Sequence, residues 1–153
     1  MPSESEKPVR LAVSEQDCLR CIAGHMIPAS AAYGMPGADD PVIFVDMAAS
    51  VARDAQALSR TLQAVDEAAG GRLSSLPPEE RMALLMRLRS DQPGLLGVVE
   101  AIVSRAYYRD DRVLKSIGME ARPPYPTGYA VEQGDWSLLD PVRKRAAMYR
   151  DAG

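Results

Sequence analysis

Asparagine is absent from this chain of 153 residues, and histidine, tryptophan and phenylalanine occur once each. Without asparagine there is no N-glycosylation acceptor. A single His25 leaves little acid–base chemistry near neutral pH, where histidine is the usual carrier, and it disfavours a Ser/His/Asp nucleophile arrangement. Cysteine is scarce as well. Cys18 and Cys21 are too few for a disulfide-dense secreted scaffold, so packing has to hold the fold. The longest apolar run, VIFVDMAASV, is broken by Asp46 and Ser50 and falls short of the ~18–20 residues that a membrane span needs. GxSxG, HExxH, the P-loop pattern and GxGxxG are all missing, which removes the usual nucleophile elbow, zinc protease, phosphate-cradle and dinucleotide signatures. The start, MPSESEKPVRLAV, shows no export signal and no twin-Arg pair, and the expected location is cytoplasmic.

The remaining composition is that of an ordinary folded domain, with 46% apolar and 25% charged residues. A net charge of −3 gives no global attraction to nucleic acid or to an anionic membrane surface. Alanine and leucine dominate and hairpin turn pairs are lacking, so the expected fold is all-α: one domain, a compact bundle of about five to six helices. Residues 1–12 read as a mobile arm. Ser14 and Asp17 read as the cap of a first helix running to His25 and stopped by Pro28. Asp40 and Pro41 open a second, whose apolar residues cover most of its circumference, as in a central helix or one that faces a partner. Whether residues 41–69 form one helix or two is open from pattern alone.

Gly70-Gly71 supplies a stop, and LPPEE starts a helix with Met82, Leu85 and Leu88 inward. Residues 92–108 read as the core helix, and Asp110 caps a short helix ending at Gly118. Residues 121–136, with three prolines, two tyrosines and Trp136, read as an extended surface segment. A C-terminal helix from Asp140-Pro141 is expected to pack Leu139, Val142, Ala146 and Tyr149 and to expose Arg143, Lys144 and Arg145.

The sharpest chemical constellation is CLRCIAGH. On a helix Cys18, Cys21 and His25 at i, i+3 and i+7 fall within an arc of ~60°, and thiolate and imidazole are metal ligands. Three ligands do not close a structural zinc site, and cysteines lining a helix seam explain the pattern better, so no metal or catalytic residue is assigned. The acid pairs Asp39-Asp40, Glu79-Glu80 and Asp110-Asp111 all sit at expected helix starts, where capping accounts for them. Tyr107 and Tyr108 point ~100° apart on a helix, so both enter the core only if that helix end is surrounded; core and interface stay open from pattern, and both are taken as candidate interface residues. Tyr125, Tyr129 and Trp136 are candidate interface aromatics on the same grounds of composition.

Several segments are familiar together: Ile27-Pro28, PGADD, VIFVDM, LPPEER, YYRDDRVLKSIGM and PTG. Over residues 22–129 the chain resembles the gluconate 2-dehydrogenase subunit 3 family. The resemblance implies a non-catalytic small subunit needed for folding, maturation or export of a large dehydrogenase of the glucose–methanol–choline type, which holds the FAD and oxidises a sugar or alcohol hydroxyl. Heterodimer or higher assembly, with a cytochrome or another acceptor taking the electrons, would follow. The signature positions carried over are Pro28, Asp46, Tyr107, Tyr108, Gly118, Pro126 and Gly128. Members often carry a twin-Arg signal, so a periplasmic location here requires the partner to bear it. The CxxC pair lies outside the family pattern.

Overall fold

The computed structural model describes residues 11–121, 128 and 133–146. Among them the regular structure is all helical: α1 (Val13–Met26), α2 (Pro41–Ala49), α3 (Ala55–Ala68), α4 (Pro78–Asp91), α5 (Gly97–Tyr107), α6 (Asp111–Ser116) and α7 (Asp140–Arg143), with short 3₁₀ turns between several of them. No helix of the described residues is long and apolar enough to cross a membrane. The chain divides into two compact units, Met1–Ala121 and Arg122–Gly153.

In the first unit α5 is the core helix, packed against α2, α3 and α1, while α1 also lies on α3 and on the 3₁₀ turn Leu73–Ser75. Val99, Ile102 and Val103 of α5 meet a core that includes Leu19, Ile22, Met47, Leu58, Leu62 and Val113, all essentially inaccessible to solvent. Each such side chain removes enough apolar surface from water to contribute about 1.5–3 kcal/mol. Buried Thr61 keeps its hydroxyl satisfied by donating to the Leu95 carbonyl at 3.2 Å, tying α3 to the approach of α5.

Several expectations about ends are corrected. Ser14 is not the first cap: α1 begins two residues earlier than that cap would set it, with Ala12 at the cap position and the Glu15 carboxylate accepting from the Ala12 N–H at 2.8 Å. Leu11, assigned to the arm, is 7% exposed and belongs to the core. Residues 41–69 form two helices. Ser50 Oγ donates to the Met47 carbonyl at 3.0 Å, a side-chain bond that competes with continuation, and a 3₁₀ turn over Ala52–Asp54 follows. The core helix starts at Gly97 rather than Gln92, because Pro93 excludes the helical region for Gln92, which sits at φ −131° and ψ 70°. Met82 is 43% exposed, and Leu84 takes the inner position expected for it.

Other features match the reading. Asp40 caps α2 by accepting from the amides of Val42 and Ile43, with Pro41 at the first helical position. Asp110 caps α6 through the Arg112 N–H, and the chain leaves that helix through Gly118 at φ 77°, a left-handed turn that glycine makes without strain.

In the second unit the described residues hold a 3₁₀ turn, Trp136–Leu139, begun by Asp135 accepting from the Ser137 N–H at 3.0 Å, and then α7. The helix has only four residues. One turn offers no long apolar stripe, so Leu139, Val142 and Ala146 are exposed rather than packed, as are Arg143, Lys144 and Arg145. Tyr149, and the greater part of the proline-rich stretch, lie outside the described residues.

Candidate functional site

The cysteine–histidine constellation is taken apart by packing. Cys18 is 1% exposed and its thiol faces the Leu62 carbonyl of α3 at 3.9 Å, a weak contact typical of a core thiol. Burial, with Asp66 nearby, pushes its ionisation far up. Cys21 lies half-buried beside Arg81 of α4, whose Nη1 is 3.7 Å from the sulfur. Burial raises that thiol too, and Arg81 only partly opposes it. Both thiols are free and disfavour the thiolate that redox and metal chemistry need. His25 lines a groove together with side chains of α4 and α5, and Cys18 is not among that lining. No group of three or more His, Cys, Asp or Glu side chains among the described residues is placed to hold a metal ion.

The tyrosine pair separates as adjacent helical positions require. Tyr107 is 3% exposed and its hydroxyl donates to the Pro36 carbonyl at 3.0 Å, so it is a core residue and leaves the set of candidate interface side chains. Burial raises its phenol, keeping it a donor. Tyr108 is 54% exposed and stands edge-on to Tyr107, with ring centres 5.3 Å apart. Trp136 is 61% exposed, its indole N–H donating to Gln133 Oε1 at 2.9 Å. Tyr125 and Tyr129 lie outside the described residues, as does Pro126.

The segments VIFVDM and YYRDDR, distant in sequence, meet where α2 lies against α5. Arg109 Nη2 pairs with Asp46 Oδ2 at 2.6 Å. Arg112 Nη2 reaches Asp40 Oδ1 at 2.7 Å and Asp110 Oδ2 at 2.9 Å, so one guanidinium joins the caps of α2 and α6. Hydrogen bonding from Arg112, with help from backbone amides, holds both carboxyls below the usual range. Asp46 and Tyr107, two of the signature positions, thus have structural partners. Near them stay exposed apolar side chains of α2: Val42 is 64% and Val45 67% exposed. The second helix is therefore not central: it buries Ile43, Phe44 and Met47 and leaves its outer face exposed.

Sequence reading missed three features. Arg81 of LPPEER donates to the carbonyls of Leu76 and Ser74 as well as to Cys21, pinning the turn before α4. A glycine is required at position 37, where a Cβ would come within 3.0 Å of the Ala29 amide nitrogen and closer still to the Asp39 carboxylate. The only signal for either lay in local motifs, PGADD and LPPEER, that name no partner. Methionines 82 and 86 lie beside His25 in one groove, which no linear pattern announces. Compared with known proteins, the chain matches no family model, no curated protein and no solved structure.

Proposed function

We propose that this chain is a non-catalytic small subunit that binds and stabilises a large FAD-dependent dehydrogenase acting on a sugar or glycoside hydroxyl. The observation that carries the reading is the α2–α5 corner. Two of the segments that carry the resemblance close on each other through Asp46–Arg109 and Asp40–Arg112, while Val42, Val45 and Tyr108 stay exposed. Exposed apolar and aromatic side chains rimmed by charge have the anatomy of a protein interface. The flavin belongs to the partner, and this chain's contribution is apolar surface that assembly takes out of water. The exposed Trp136, Leu138 and Val142 of the C-terminal unit support the same role. A Cys/His redox module is the weaker alternative, since both thiols resist ionisation.

The test is affinity purification of the chain from its native cells at low salt, with an absorbance scan and intact masses of what accompanies it. The expected result is a much larger chain whose flavin bands bleach on adding a sugar. Recovery of the chain alone as a stable monomer overturns the reading. In the complex, Tyr108→Ala or Trp136→Ala should weaken assembly by about 2 kcal/mol, as hot-spot truncations do, with the fold of the isolated chain unchanged.

A further inference from the structure

An open groove of about 330 Å³ lies between the C-terminal end of α1, α4 and the near face of α5. Three of the chain's eight methionines, Met26, Met82 and Met86, and its only histidine, His25, line it together. Met82 and Met86 are 43% and 61% exposed, so the core does not use them, in contrast to fully buried Met47. They stand four residues apart on α4, on one face of that helix, opposite the adjacent His25 and Met26 at the end of α1.

We propose that this groove is a binding site for a soft monovalent cation, Cu(I) being the natural occupant. Thioether and imidazole are neutral donors that select Cu(I) over the hard divalent ions, which prefer carboxylate and carbonyl oxygen. Arg89 and Glu100 are the charged side chains of the lining. Glu100 lines the groove and pairs with Arg89 at 3.8 Å, so the rim charge is balanced. Cys18 faces α3 instead, leaving the thioethers and the imidazole as the soft donors of the cavity. Methionine's three rotatable bonds allow the side chains to close on an ion that enters from solvent, and the apolar wall of Ile22, Leu85 and Leu96 keeps water off its inner side.

The experiment is an anaerobic titration of the full chain, labelled at the methionine methyl carbons, with Ag(I) as the redox-inert probe, followed by NMR. One equivalent should shift the methyl signals of Met26, Met82 and Met86 and leave Met47 in place. Competition for Cu(I) against a chromophoric chelator should give one site per chain. Met82→Leu/Met86→Leu, which keeps volume and fold, should weaken it by at least the ~10–100-fold typical of lost outer-shell partners. His25→Gln should weaken it as well, and Cys18→Ser/Cys21→Ser should leave it unchanged. Methionine signals that do not move at one equivalent overturn the proposal. So does binding that survives the double leucine variant and disappears with the cysteines.

Discussion

The two sides of α5 are finished differently. Toward α2 its end is closed by directed contacts: the Tyr107 hydroxyl on Pro36, Arg109 on Asp46, and Arg112 across two helix caps. Toward α4 the described contacts are an exposed ion pair, Arg89–Glu100, and a groove lined by flexible methionines. Directed bonds fix one arrangement and leave little to adapt, whereas thioether side chains re-pack at small cost. On the reading proposed above, the closed side would offer a partner a preformed surface, and the open side would give a small ligand room.

The largest way to break this contrast is to empty the closed side. Tyr107→Ala removes a buried ring and strands the Pro36 carbonyl, and should cost about 3–5 kcal/mol in denaturant unfolding. Tyr108→Ala, on the exposed neighbour, should change folding stability by no more than about 0.5 kcal/mol. Equal losses would mean that the two rings are not divided between core and surface.

Gly37→Ala comes next. An added methyl meets the Ala29 amide nitrogen at 3.0 Å and the Ile27 carbonyl at 3.3 Å, both backbone atoms that move only with the loop. Overpacking of that kind costs about 1–3 kcal/mol. At Gly24 the same methyl meets only the Asp39 side chain, from 3.0 Å outward, which can swing into solvent. A melting curve for Gly24→Ala should therefore lie closer to the parent than one for Gly37→Ala.

A smaller effect separates the sides by pH. Asp40 and Asp110 have lowered carboxyl pKa values in the folded chain, chiefly through hydrogen bonds from Arg112. Their stabilisation is present above the unfolded-state pKa of about 3.9 and is lost as pH falls through the lower folded values. Arg112→Ala should cost about 1 kcal/mol at pH 7, the upper end for exposed pairs. The gap to the parent should close in acid, and a gap independent of pH would remove Arg112 as its cause.

The closed side was largely readable in sequence because its logic is local. Asp40 before Pro41 and Asp110 before Asp111 announce caps, whereas the division of Tyr107 and Tyr108 between core and surface stayed open until the packing around that helix end was known. Arg112 joining both caps was not readable, since 72 residues separate it from Asp40 and only the fold closes that distance. Helix periodicity placed α5 in the core but set its start at Gln92, because apolar spacing runs through the Pro93 turn that backbone sterics enforce. For Cys18, Cys21 and His25 the helix-seam reading needed no partner, and the partners were not legible. Helical geometry does align them, yet each side chain meets a different neighbour, α3, Arg81 and the α4–α5 groove, and contacts of that kind are properties of packing.

The smallest expected effect belongs to the open side. Met82→Leu/Met86→Leu exchanges flexible side chains for branched ones of similar volume, at positions 43% and 61% exposed. If the groove carried the α4 packing, loss of methionine's adaptability would destabilise the fold. Volume-conserving swaps usually cost less than about 1.5 kcal/mol even in cores, and these positions are not in the core. The expected change in unfolding free energy is therefore within about 0.5 kcal/mol, the range of surface substitutions. A larger loss would make the methionines structural and erase the difference between the two sides of α5. A neutral result, together with lost Ag(I) binding, separates what the groove holds from what holds the fold.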